Sequence, residues 1–287
     1  METERYYLDL FKVTRAQMEK TTATALSHGG DFCDLYFEHT TFFNLLLKDG
    51  VVSSGGFHTD YGVGIRVLKG EKTGYAYSEN TEMTDMQKAA QAASAIALGT
   101  TGNRTYAPVE DRRLDLYPME RNWRDFGTDA FLPFLKDLEK EIFSRDSRIV
   151  KVVVRLSDSV TDIMMYNSLG ELTCDKRPMG SVSVSAVFEQ DGKTENKSAA
   201  RSFRMGAELA GPALVRELAD EVVRGIDARF EARRPKGGQM SVVMGAGASG
   251  ILLHEAMGHA FEADFNRKGQ SIFSDKSGKQ ICPKGVT

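Results

Sequence analysis

Residues 252–265 read LLHEAMGHAFEADF. Two imidazoles, His254 and His259, stand near a carboxylate, Glu255. These are the donor types that hold a zinc ion and move a proton. The spacing is one residue longer than the H-E-x-x-H pattern of zinc peptidase helices. Four residues bring two side chains to within about 40° around a helix, whereas five leave them about 140° apart. A shared ion therefore needs a distortion between them, either a π-bulge or a helix that breaks before His259. Gly258 is the residue that tolerates such a distortion best. Glu255 is then the general base, and Glu262 or Asp264 can accept a hydrogen bond from a ligating imidazole. The plain alternative is a part-apolar helix whose two histidines only pack. Ile251, Leu252 and Leu253 precede the motif and predict its burial, and buried histidines beside a glutamate are costly unless something binds them.

The elements that must position this stretch come from 287 residues with 41% hydrophobic and 27% charged side chains. That length predicts more than one domain. The net charge of −3 gives no basic field for nucleic acid. No apolar run reaches the roughly 18 residues that span a bilayer, so no membrane partner is expected. The start METERYYLDLFKV lacks the apolar core of a secretory signal. Cys33, Cys174 and Cys282 are odd in number and far apart, which predicts reduced thiols and a cytoplasmic protein.

Residues 8–28 have helical spacing, closed by Gly29-Gly30. A strand follows over 32–50, ending on the Asp49-Gly50 turn. Short glycine-punctuated strands come next, then an Ala-rich helix over Thr84–Ala97, capped by Thr84 or Asp85. Residues 101–124 read as a linker. Thr128–Ser144 predicts a helix, with Pro133 inside it or in its first turn. Strands are expected over 149–168, Leu172–Asp175 and 181–190, turning at 167–170 and at 190–192. Ala207–Arg229 predicts one amphipathic helix with Leu214, Leu218, Val222 and Ile226 on its stripe. A short strand, SVVMG, then leads into Gly245, Gly247 and Gly250 and a helix over 251–265. Those glycines match G-x-G-x-x-G, but the second strand and acidic residue of a nucleotide site do not follow. Their other reading is close backbone approach to the motif helix. The fold class is α+β. A helix–sheet–helix domain is expected at 1–105, an antiparallel sheet with helices at 106–235, and the start of a catalytic domain at 236–287. His39 and His58 each read as a structural or surface histidine, and Tyr36, Phe37, Phe42 and Phe43 as core, with any exposed part free to meet a partner or substrate.

The block LLHEAMGHAFEADFNRKGQSIFS resembles the motif region of the TldD/PmbA family of zinc metalloproteases, formerly called modulators of DNA gyrase. The segment DFCDLYFEHTTFFNLLLKDGVVSS, with GVGIRVLKGEKTGYAYSE after it, is similar to that family's opening domain. The resemblance implies a zinc-dependent peptidase acting on peptides or unfolded segments. It implies His254 and His259 as zinc ligands and Glu255 as the base assisting attack by zinc-bound water. It further implies a homodimer, or a heterodimer in which this TldD-type chain joins a PmbA-type partner. The family's third ligand is a cysteine far downstream, expected beyond Thr287; Cys282 does not match its position. The alternatives are a non-catalytic regulatory or binding protein, and an inactive truncated fragment of the peptidase.

Overall fold

The computed structural model describes residues 4–95, 116–247 and 249–285. They divide into two units, Met1–Ala232 and Arg233–Thr287.

In the first unit, six strands form one antiparallel sheet: β1 (Phe32–Lys48), β2 (Val51–Lys69), β3 (Lys72–Ser78), β4 (Ile149–Asn167), β5 (Leu172–Gln190) and β6 (Lys193–Phe203). Their order across the sheet is β3-β2-β1-β4-β5-β6. The α+β expectation is met. The β1–β4 ladder, Asp34–Lys48 against Val153–Asn167, makes the two hairpin systems a single sheet.

Side-chain alternation puts Leu35, Phe37, Leu45 and Leu47 of β1 on one face, with Val154, Leu156 and Met164 of β4 beside them. Two hydrophobic clusters build on that face. One holds Phe11, Met18 and Met86 from the helices α1 (Glu4–Phe11), α2 (Arg15–Ala25) and α3 (Met83–Ser94). The other holds Leu135, Leu138, Leu214, Leu218 and Ile226 from α4 (Thr128–Arg145), α5 (Pro212–Val223) and α6 (Ile226–Glu231).

A polar seam lies between the clusters. Asp162 of β4 is fully buried. It is paired with Arg124 at 2.5 Å, His39 at 3.5 Å and Lys176 at 3.6 Å. Arg124 also donates to Thr41 Oγ1 at 2.9 Å and to the Val160 carbonyl at 2.8 Å. Removing one partner of such a buried pair strands the other charge, which is why the cation and acid are kept together. Of the two readings of His39, structural or surface, its place beside Asp162 fits the structural one.

Several expected elements differ, each for a local reason. The single helix over 8–28 is two helices, because Lys12 takes a left-handed φ of 54° and Thr14 starts a new capping box with Gln17. The Ala-rich helix begins at Met83 after Glu82, so neither Thr84 nor Asp85 is its cap. Pro133 lies inside α4, past the first turn. The short glycine-punctuated strands of the second segment are the continuous β2, and the two pieces expected over 172–190 are the continuous β5. Pro178, within β5, has no N–H to give to Val160 opposite it, and the Val160 carbonyl is the one Arg124 reaches. β6 is an addition. The helix over Ala207–Arg229 is a 3-10 turn, α5 and α6, parted by Gly225 at φ 72°. The expected linker falls partly outside the described residues, and its remainder carries the 3-10 turn Trp123–Asp125. All three cysteines are free. Among the described residues, no helix is long and apolar enough to cross a membrane.

Asp158 faces the same apolar side as Asp162, and among the described residues its Oδ2 finds no partner. Burial raises its pKa to about 7. The folded state thus holds a proton that the unfolded chain releases in the ordinary carboxylate range. The contribution of Asp158 to stability is therefore complete below about pH 4 and is lost as pH rises towards about 7. Asp158→Asn is expected to abolish this decline, measured by urea unfolding at several pH values. An unchanged decline in the variant would assign it to another group.

Candidate active site

The second unit carries the histidine pair. Its elements are α7 (Ser249–Ala256), a 3-10 turn (Gly258–Phe261) and α8 (Ala263–Arg267). The helix expected over 251–265 is therefore interrupted, and the interruption falls before His259. Met257 still closes the last α7 bond, donating to the Leu253 carbonyl at 3.0 Å. Its ψ of −40° with φ of −132° then leaves the helical path, and Gly258, a poor helix former, opens the tighter turn.

This break does what a regular helix cannot. The rings of His254 and His259 lie edge to face, with centroids 4.5 Å apart. One ligand atom each from His254, Glu255 and His259 fall within 4.8 Å of one another. This is the one cluster of three such groups able to hold a metal ion among the described residues. The donor set, two imidazoles and a carboxylate, suits zinc. His259 Nδ1 is engaged by Glu262 Oε1 at 2.6 Å, and its Nε2 stands 3.5 Å from Glu255 Oε2. Of the two acids weighed for the ring, Glu262 makes the contact. That hydrogen bond, helped by the charges of Glu262 and Glu255, raises the His259 pKa above its ordinary value. With Nδ1 held, Nε2 is the nitrogen left to face an ion.

Gly258 has a second role. A Cβ placed on it would lie 3.3 Å from His254 Nδ1, tighter than ordinary contact. Gly258 is thus both the break and the space for the first ring.

Asn266, known from the sequence only as part of the run after the motif, and Ser271, not singled out there, hold the turn in place. Asn266 Nδ2 donates to the carbonyls of Ala260 and Glu262, both at 2.9 Å. Ser271 Oγ donates to the Ala260 carbonyl at 2.5 Å. Phe261 and Phe273 stack behind them at 4.6 Å. The available signal was the polar run Asn266–Gln270 directly after the motif, which needs capping partners.

The expected burial of the motif is not found. Ile251, Leu252 and Leu253 are 63%, 56% and 62% exposed, and the three metal-type residues are exposed as well. This unit, some 50 residues long, is too small to enclose an apolar helix on its own. No strand forms over SVVMG, and Val243 is 97% exposed. Among the described residues, a Cβ at Gly245 or Gly250 would meet nothing within 4 Å, so close backbone approach does not explain these two glycines.

Gly258→Ala is expected to push the His254 ring aside and to weaken Zn2+ binding about tenfold, as loss of a supporting contact does. Competition titration against a chromophoric chelator measures it. Parent-like affinity would show that the glycine does not set the ring position.

Three comparisons bear on this geometry. Successive family models match the chain: PmbA/TldA metallopeptidase domain 1 over 33–97, the central domain over 121–229 and the C-terminal domain over 237–287. A metalloprotease TldD homolog of Haemophilus influenzae is 33% identical over 263 residues, covering 88% of this chain and 54% of that protein. A metalloprotease of Archaeoglobus fulgidus is 26% identical, covering 89% of this chain and 58% of that one. The chain thus spans about half the length of the curated relatives it matches. Among solved structures, a Thermotoga maritima protein described as a modulator of a DNA gyrase aligns with a TM-score of 0.69 at 19% identity, over 91% of this chain and 58% of that one. TldE from Thermococcus kodakarensis aligns at 0.68 and 14% identity, over 91% and 58%. These two likenesses concern the fold. With its length matched segment by segment in domain order, the chain belongs to the PmbA/TldD family of metallopeptidases.

Proposed function

We propose that this chain is the TldD-type part of a zinc-dependent metallopeptidase that cleaves peptides or unfolded protein segments. The observation that carries the reading is the convergence of His254, Glu255 and His259 at the helix break. His254 and His259 are assigned as zinc ligands and Glu255 as the general base. Bound there, zinc would polarise a substrate carbonyl and acidify a water. Glu255 takes the proton from the attacking water and returns it to the departing amine. Glu262 holds the His259 ring through Nδ1, which leaves Nε2 as the nitrogen that would face a bound ion. Catalytic zinc takes three protein ligands. The third is assigned to the region of the longer relatives that has no counterpart in this chain.

The division at 105 and 235 is carried into this reading, with two half-sheet domains preceding the catalytic one. Pairing with a related PmbA-type subunit is carried over from the family to which the chain belongs, with a homodimer as the other arrangement. A cytoplasmic location accords with three free thiols.

Two variants test the reading. His259→Ala is expected to abolish stoichiometric Zn2+ uptake in calorimetric titration. Glu255→Gln, in the protein carrying its complete catalytic domain, is expected to keep the metal and to lose about 100-fold or more in hydrolysis of an unfolded casein substrate. Cleavage by Glu255→Gln at the parent rate would remove Glu255 from the mechanism.

A further inference from the structure

The face of the sheet opposite the helices carries a second feature, in the first unit. The register sets Tyr77 beside Gly64 and Gly64 beside Tyr36, in one row. Glu38 occupies the next row on that face, opposite Gly62, and Asp60 the one after it, opposite Thr40. Together with Tyr75 and Glu79 they line a cavity of about 230 Å³. Gly64 keeps its floor low: a Cβ there would meet the Tyr75 hydroxyl at 2.7 Å. The Tyr75 ring thus lies across bare backbone.

The charge of this cavity is one-sided. Glu38 is fixed by the Tyr36 hydroxyl and by Thr40 Oγ1, each donating at 2.9 Å. Among the described residues, no Lys or Arg pairs with Glu38, Asp60 or Glu79. The nearby cations already have partners: Arg66 pairs with Asp34, and Arg177 with Asp175. Tyr75 and Tyr77 are 61% and 69% exposed, an unusual state for two large rings on one short strand. Aromatic faces beside unpaired carboxylates attract an alkylammonium or guanidinium group.

The adjoining edge defines how such a group arrives. β3 pairs with β2 only over Val63–Lys69. Among the described residues, the outer edge of β2 from Val51 to Gly62 carries no strand. An open edge offers its N–H and C=O groups to an extended segment, while pockets beside it choose the side chains.

We propose that this cavity receives the lysine or arginine side chain of an extended peptide segment laid along the free edge of β2. Where that segment belongs to a substrate, the inference rests on the peptidase reading. The following test contains no metal, so the two fail separately.

Fluorescein-labelled heptapeptides differing only at the central residue (lysine, arginine, norleucine or glutamate) are titrated into the metal-free 287-residue chain, and anisotropy is read. The lysine and arginine peptides are expected to bind about tenfold more tightly than the norleucine peptide, with glutamate weakest. Tyr77→Leu combined with Glu79→Gln changes two exposed side chains and is expected to erase the preference while leaving the unfolding midpoint unchanged. Equal affinity for lysine and norleucine, no binding by any peptide, or a preference that survives the double substitution would each overturn the proposal.

Discussion

Two imidazoles five residues apart can share one ion only if the helix between them is distorted, and here it stops. The site depends on that constraint. Ending α7 at Ala256 and restarting as a 3-10 turn at Gly258 rotates His259 back towards His254. The absence of a side chain at Gly258 leaves room for the first ring. Glu262 then locks the second ring through Nδ1, and Asn266 and Ser271 fasten the turn that carries it. Remove the break and the donors point to different sides of a helix, whatever their chemistry.

The sheet obeys a different constraint. Long strands carry two separate hydrophobic clusters on one face, and the gap between them is bridged by ion pairs around Asp162. Arg124 ties β1, β4 and the turn at Trp123–Asp125 together through that seam. The opposite face is free to carry recognition, and the tyrosine-lined acidic cavity lies there.

Much of this was readable from residue types. The Asp49-Gly50 turn is present, with both residues at positive φ. The stripe Leu214, Leu218, Val222 and Ile226 is buried as its spacing predicts. The need for a distortion before His259 followed from helix geometry, but not whether it would be a π-bulge or the break that is found. What the sequence hid has physical causes. A left-handed Lys12 and Gly225 interrupt helices whose apolar spacing runs on without a gap. β5 passes through Pro178, so a local breaker was overruled by pairing with β4. The predicted burial of the motif rested on three apolar residues, but burial depends on what packs against them, and hydrophobicity does not encode that.

The most direct measurement is the zinc K-edge X-ray absorption of the zinc-loaded chain. Two imidazole nitrogens at about 2.0 Å are expected in the first shell, falling to one in His254→Ala and in His259→Ala. A first shell without imidazole, or one unchanged in both variants, would contradict the assignment of these histidines.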